Sequence, residues 1–304
     1  MDKLVGSSVG REIKLRAMGF PLRFLSSLSL CLLALLLHRA TVTSGCFSLE
    51  REALLDFKAG VRDTRNRLSS WTGHHCCTWK GVTCDTTTGH VVRLDLRNTF
   101  DWALRGERMN SSLLALSHLE HLDLSFNDFS GIRIQEFIGS FKKLRYLNLS
   151  STDFMGGIPV DNLEWLSHLT SLKHLDLSGL NLTDVPDWFS SVNMLPSLQV
   201  LSMYSASLNT IPAYVVHVNF TSSLTVLDLS SNNFNSTLPK WLGNISSLTH
   251  LDLHESGFYG VIPDTIGDLG SLTFLDLGGN QPIDRKFERL AGANDESHHF
   301  GYPI

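Results

Sequence analysis

From residue 93 to residue 277 the apolar positions form a short motif, two leucines flanking one residue, that returns at a nearly constant interval. LTVLDLSSNNFNSTLP at 224–239 is its clearest copy, and LTHLDLHESGFYGVIP at 248–263, LRYLNLSSTDFMGGIP at 144–159 and LEHLDLSFNDFSG at 119–131 are variants of it. The middle residue of each LxL is Asp95, Asp123, Asn148, Asp176, Ser202, Asp228, Asp252 or Asp276, in steps of 28, 25, 28, 26, 26, 24 and 24 residues. The pattern predicts eight turns of one coil. Side chains alternate across a strand, so in Leu227-Asp228-Leu229 both leucines face inward and Asp228 faces out. One coil cannot bury its own leucines. Stacked coils can, so the stability of such an array comes largely from the interfaces between repeats.

Residues 1–45 break this pattern. Arg11, Lys14, Arg16 and Arg23 precede a mainly apolar run from Phe24 to Leu37, and small residues follow through Gly45. The order of basic, apolar and small is that of a secretory signal, and the run is too short to span a bilayer comfortably. Cleavage is expected near Thr43–Gly45, with Met18 as a second plausible start. Removal takes six basic and two acidic residues with it and moves the formal net charge from −5 to −9. This acidic chain has no basic stripe to track a phosphate backbone, which argues against a nucleic-acid partner. Nothing after Leu37 is apolar for long enough to form a transmembrane segment.

Cys31 leaves with the signal, and Cys46, Cys76, Cys77 and Cys84 remain. An even number in a secreted chain predicts two disulfides. Four cysteines allow three pairings, although adjacent Cys76 and Cys77 are poorly placed to bridge each other. Between Cys46 and Cys76 the residues 49–59 read as a helix, with Ser48 as N-cap and Gly60 as the stop. Leu54, Phe57 and Val61 would face Trp71, Trp79 and the first coil, making the segment a lid on the end of the solenoid. His74 and His75 beside the cysteines raise the question of zinc. Zinc needs thiolates, and an oxidising compartment favours disulfides, so the two histidines read as surface residues.

CFSLEREALLDFKAGVRDTRNRLSSWTGHHCCTWKGVTCD at 46–85, followed by TGHVVRLDLRN, resembles the N-terminal cap of plant extracellular leucine-rich-repeat proteins. GGIP ending at Pro159, GVIP ending at Pro263 and NMLPSLQVL from Asn193 are similar to receptor-like proteins of the disease-resistance type. The resemblance covers about residues 46–280. It implies an α/β solenoid, a right-handed leucine-rich-repeat superhelix with a disulfide-bonded helical cap, and the pairings Cys46 with Cys76 and Cys77 with Cys84. It also implies an extracellular protein, peptide or glycan ligand, held mainly on the inner face and perceived in plant immunity. The resulting organisation is a signal peptide at 1–45, a cysteine cap at 46–88, repeats at 89–280 and a non-repeat tail at 281–304. The tail departs from that family, whose full-length members continue into more repeats, a C-terminal cysteine cap and a transmembrane helix. Either a truncated receptor or a short secreted form is expected, in the apoplast, or at the plasma membrane if the chain is a fragment of a longer receptor. Phe287 and Leu290 are the tail side chains available to cover the last coil.

In such repeats an Asn three residues past the second leucine bonds the backbone of the adjoining turns, and an inward polar group needs those partners. Asn127, Asn232 and Asn280 fit, and Thr152 and Ser256 substitute in part. Leu180 and Ala206 do not. Their two coils also run one residue short before the Pro, so the coil is expected to be locally irregular there, as drift that a repeat array tolerates.

The inner face reads in columns. The central column carries six carboxylates in eight coils, an acidic ladder read as part of the repeat's own consensus rather than as a basic-ligand site. The column before it is Arg93, His121, Tyr146, His174, Val200, Val226, His250 and Phe274; the column after it is Arg97, Ser125, Ser150, Ser178, Tyr204, Ser230, His254 and Gly278. Aromatic and cationic residues are the usual contact anchors. His121, Tyr146, His174, Tyr204, His250, His254 and Phe274 are therefore the candidate ligand residues. Six N-x-S/T triplets, at Asn110, Asn148, Asn181, Asn219, Asn235 and Asn244, predict a glycoprotein.

No Walker loop, GxSxG elbow, HExxH, or kinase Gly-rich loop, HRD or DFG element occurs in the sequence. A paired-carboxylate glycosidase is disfavoured, because a shallow solvated face gives neither carboxyl a reason to hold a raised pKa. The sequence thus reads as a non-enzymatic binding module that needs no cofactor and would signal through a co-receptor kinase. The competing readings are a secreted inhibitor of microbial cell-wall-degrading enzymes, similar to polygalacturonase inhibitors, and a soluble decoy.

Overall fold

The computed structural model describes residues 46–99, 103–106, 111–129, 135–151 and 160–284, all within one compact unit, Gly45–Ile304. The expected signal segment, Asn110, Thr152 and the tail from residue 285, with Phe287 and Leu290, lie outside the described residues.

The first leucine and the middle residue of each motif end a short strand, such as His121–Asp123 or Val226–Asp228, and the eight strands pair in parallel, in register and in sequence order. Leu94, Leu122, Leu147, Leu175, Leu201, Leu227, Leu251 and Leu275 make one continuous row, since each is the register partner of the next. A ninth strand, Val82–Cys84, pairs antiparallel with Val91–Asp95. It covers the sheet edge that would otherwise present unpaired backbone groups. The inward leucines join one apolar core that runs from Leu54 in the cap to Leu269. Short helical turns form the opposite wall, at Ser111–Ala115, Gln135–Ile138, Glu164–His168, Trp188–Val192, Lys240–Asn244 and Asp264–Asp268. Pro239 and Pro263 stand directly before the last two, where a missing N–H and a fixed φ cost nothing.

In the cap, the helix spans Ser48–Ala59 and Phe47, not Ser48, occupies the N-cap position, with no side-chain cap bond. Ser48 is therefore already helical, a correction to the sequence reading. The helix stops at Gly60, whose N–H bonds the carbonyls of Asp56, Phe57 and Lys58 while φ stays at −85°. Leu54, Phe57 and Val61 pack into the same core as Trp71 and Trp79. Trp71 and Trp79 stack at 5.5 Å, and their indole N–H groups donate to the carbonyls of Lys80 and Thr72. Cys46–Cys76 and Cys77–Cys84 are disulfides, with Cα separations of 5.3 and 5.4 Å. All four thiols are consumed, and His74 and His75 are exposed.

The Asn column does what its sequence position requires. Asn232 Nδ2 donates to the carbonyls of Met203, Leu229 and Ser230 while Oδ1 accepts from the Leu208 N–H. Asn127 and Asn280 make the equivalent bonds, and the shorter Ser256 makes two, to Leu229 and His254. Leu180 and Ala206 are buried without any such polar group. The residue before the column turns through positive φ at Phe126, Gly179, Ser205, Ser231, Glu255 and Gly279. Gly179 has a second reason to be glycine, because a Cβ there would collide with the Ser151 carbonyl.

The expected irregularity at the two short coils is confined to the return path. Strand register passes unbroken through His174–Asp176 and Val200–Ser202. Ser205 and Ser207, on either side of Ala206, both hold positive φ. Among the described residues, a second parallel sheet, Ser236–Thr237, Phe258–Val261 and Ile283–Asp284, forms in the three coils that follow. A coil one residue shorter lacks the extended stretch that this sheet needs.

Candidate ligand-binding face

The outward residues of the sheet build the site. Parallel register places side chains of one column about 4.8 Å apart, near the thickness of stacked rings. His121 accordingly stacks on Tyr146 at 4.0 Å, and Tyr146 on His174 at 4.2 Å, with planes within 12°. Arg93 Nη1 caps the row, 3.3 Å from His121 Nδ1. The half-exposed Val200 and Val226 interrupt it. Beyond them His250 stacks on Phe274 at 4.0 Å. The seven candidates thus resolve into a triplet, a pair, and two single residues, Tyr204 and His254, in the next column. Tyr204 is the most open large side chain among them, 42% exposed. His254 lies 3.7 Å from an Asp276 carboxylate oxygen and 3.6 Å from one of Glu255.

Stacking decides what the rings can do. Within the triplet the faces cover one another, so the strip presents ring edges, among them that of Tyr146 with its hydroxyl. At the inner ends of the two stacks the register neighbours of His174 and His250 are Val200 and Val226. Burial and the charge on Arg93 push the His121 imidazole down to about 4, and its Nε2 is buried without a hydrogen-bond partner. Burial lowers His174 in the same way and raises the Tyr146 phenol. At neutral pH the triplet is therefore an uncharged, amphipathic strip.

The acidic ladder serves the fold first. One oxygen of each acid accepts the backbone N–H two residues on: Asp123 from Ser125, Asp176 from Ser178, Asp228 from Ser230, Asp252 from His254 and Asp276 from Gly278. Asn148 does the same for Ser150, which explains why Asn replaces Asp there without loss. Such turns satisfy the backbone where the strand ends.

The two ends of the ladder differ in charge. Burial pushes Asp95 up, but hydrogen bonds from Arg97 and Arg93 outweigh it and hold the carboxyl well below the usual range. Arg97 also approaches Asp123, 3.6 Å away. At the other end burial pushes Asp252 up, against the His254 backbone bond and reinforced by Asp228 and Asp276. The arginines stand in both columns yet fall outside the predicted ligand set. Their neutralising role depends on contacts that only the folded register shows.

The sequons have different surroundings. Asn235 and Asn244 are exposed. Asn219 is also exposed, but its Nδ2 donates to the Asn193 carbonyl at 2.7 Å. Asn181 is half-buried, with Oδ1 accepting from the Thr183 N–H. Asn148 is buried within the sheet face, where a transferase cannot reach once the coil has closed.

No helix among the described residues is long and apolar enough to cross a membrane. A family described as "Leucine rich repeat N-terminal domain" matches residues 48–85, and one described as "Leucine-rich repeat region" matches residues 125–277, half of the chain. Among curated proteins, the chain is 37% identical over 207 residues to receptor-like protein EIX1 of Solanum lycopersicum, covering 57% of this chain and 20% of that protein. It is 46% identical over 151 residues to receptor-like protein EIX2 of the same species, covering 46% and 15%. The chain thus spans about a fifth or less of the length of these relatives. Among solved structures it resembles the leucine-rich-repeat ectodomain of the Arabidopsis receptor kinase HAESA bound to an IDA peptide hormone, with TM-score 0.61 and 29% identity over 77% of this chain and 37% of that one. A cysteine-paired cap, eight LxL coils in one parallel sheet and these likenesses agree: the chain belongs to the leucine-rich-repeat family and, within it, to the plant receptor-like proteins.

Proposed function

We propose that the chain is an extracellular recognition module of plant immunity, binding a peptide or protein segment across the outward face of its sheet. The coil is taken as a right-handed superhelix. The observation that carries the reading is the paired ring stacks, His121–Tyr146–His174 and His250–Phe274, separated by a valine gap. Ring edges offer donors and acceptors to an extended peptide backbone, and Val200 and Val226 between the stacks offer it an apolar contact. The HAESA ectodomain has been captured with its peptide hormone and the co-receptor SERK1. By analogy, a co-receptor kinase is the proposed signalling partner here. Catalysis has no part in this reading. Asn181, Asn219, Asn235, Asn244 and Asn110 are the proposed glycan carriers.

The experiment is a displayed-peptide selection against the secreted chain, followed by affinity measurement on Tyr146→Ala and His250→Ala. Selected peptides should lose affinity on both variants and keep it on Ser167→Ala in the opposite wall. Binders indifferent to both face substitutions would contradict the proposal. The enzyme-inhibitor alternative predicts instead that the purified chain blocks a polygalacturonase.

A further inference from the structure

A fourth column, three residues before each strand centre's preceding residue, reads His90, His118, Lys143, Ser171, Ser197, Ser223, Ser247 and Ser271. Five coils carry serine, whose hydroxyl holds the turn where Ser223 bonds the carbonyls of Pro196 and Phe220 and Ser247 those of Thr221 and Leu224. Three coils depart from that rule: the third carries Lys143, and the two nearest the cap both carry histidine. The repeat's own needs do not explain the change.

His90 is sandwiched. Its ring stacks on Phe47 at 4.1 Å and on His118 at 3.7 Å, so both faces are covered and only an edge reaches solvent. Its Nδ1 lies 2.9 Å from Oε1 of Glu50, a carboxylate 3% exposed, whose Oε2 accepts the Val91 N–H at 3.1 Å. A buried carboxylate in that position accepts, so Nδ1 carries the proton and the His90 lone pair falls on Nε2. His118 Nδ1 is 3.2 Å from the Ser117 hydroxyl. Ligand-capable atoms of Glu50, His90 and His118 all lie within 4.8 Å of one another.

We propose that His90 and His118 form a two-imidazole site for a borderline divalent metal ion such as Zn²⁺, with Glu50 as the carboxylate that orients His90. A carboxylate behind a ligating imidazole fixes its tautomer and raises its basicity. A metal lies in the plane of each imidazole it binds, so binding opens the parallel His90–His118 stack, and water fills the remaining positions. The ion would join the helix that carries Glu50 to the first two coils. It is separate from the cysteines, which are all in disulfides.

The test is calorimetric titration of ZnCl₂ into the secreted, chelator-stripped chain with its disulfides intact, near neutral pH. Wild type should take up one ion saturably and gain melting temperature. His118→Ser, which installs the residue of the other coils and so preserves the turn, should lose affinity ~10-fold or more and the gain in melting temperature. His217→Ser and the His74→Ser, His75→Ser double variant should bind as wild type does. Equal Zn²⁺ affinity in wild type and His118→Ser, loss of binding in either control, or no saturable uptake by wild type would overturn the proposal.

Discussion

Arg67 Nη1, from the cap, donates to Asn127 Oδ1 at 2.8 Å, while its Nη2 donates to the carbonyls of Leu96 and Arg97. Asn127 belongs to the Asn column, so one guanidinium ties the lid to the polar ladder inside the coils. Arg67→Ala removes a donor from the Arg97 carbonyl and one of two donors from the Leu96 carbonyl, and is expected to cost about 2 kcal/mol, the usual scale for a hydrogen bond from a charged group. Urea unfolding of the secreted chain measures it. An unchanged midpoint would mean that this guanidinium does not hold the cap.

Asn232 tests the ladder away from the cap. Asn232→Ala strips donors from Met203, Leu229 and Ser230 and the acceptor of the Leu208 N–H. Each buried group left unsatisfied costs ~1–3 kcal/mol, so the variant should rank among the most destabilising single changes in the repeats. Asn233→Ala, at an exposed side chain on the same loop, is the comparison and should melt close to wild type.

Both disulfides lie in the cap, which packs on the first coils through Leu54, Phe57 and Trp71. Reducing them should lower the melting temperature, since loss of a native disulfide in a small unit typically costs about 2–5 kcal/mol. Calorimetry with and without reductant makes the comparison. An unchanged melt would show that the repeats hold the cap unaided.

Acid should weaken the fold through the ring stack. The folded-state pKa of His121 is depressed to about 4 from its ordinary value of 6.5, by burial and Arg93. Between those values the unfolded chain binds the extra proton, so His121 contributes stability that is full above pH 6.5 and is lost as pH falls towards 4. His174 and His118 are lowered and act in the same direction. Asp252, raised above the ordinary carboxylate value, acts in the opposite direction in more acidic solution. His121→Phe keeps a ring in the stack without a titrating group, and its stability should fall less steeply over this window in urea melts taken at successive pH values.

The fold was legible because strand alternation and a fixed period leave little choice: two inward leucines per coil determine the register, and the register determines every column. Asn127, Asn232 and Asn280 were legible for the same reason, as polar residues at an inward position. Sequence placed His121, Tyr146 and His174 in one column; their contact follows from a strand spacing close to ring thickness. Partners distant in sequence were not legible. Glu50 meets His90 across 40 residues and Arg67 meets Asn127 across 60, and no local pattern marks either pair. Ser48 misled because its residue type suits an N-cap, while the helix begins one residue earlier than that role allows.

The most direct test of the account is histidine footprinting by diethyl pyrocarbonate, read by mass spectrometry, on the secreted chain with and without a selected peptide. Binding across the ring-bearing face should protect His174, His250 and His254 and leave the exposed His74, His75 and His217 as reactive as before. Protection confined to His217 or the cap, with the sheet histidines unchanged, would place recognition elsewhere and contradict the account.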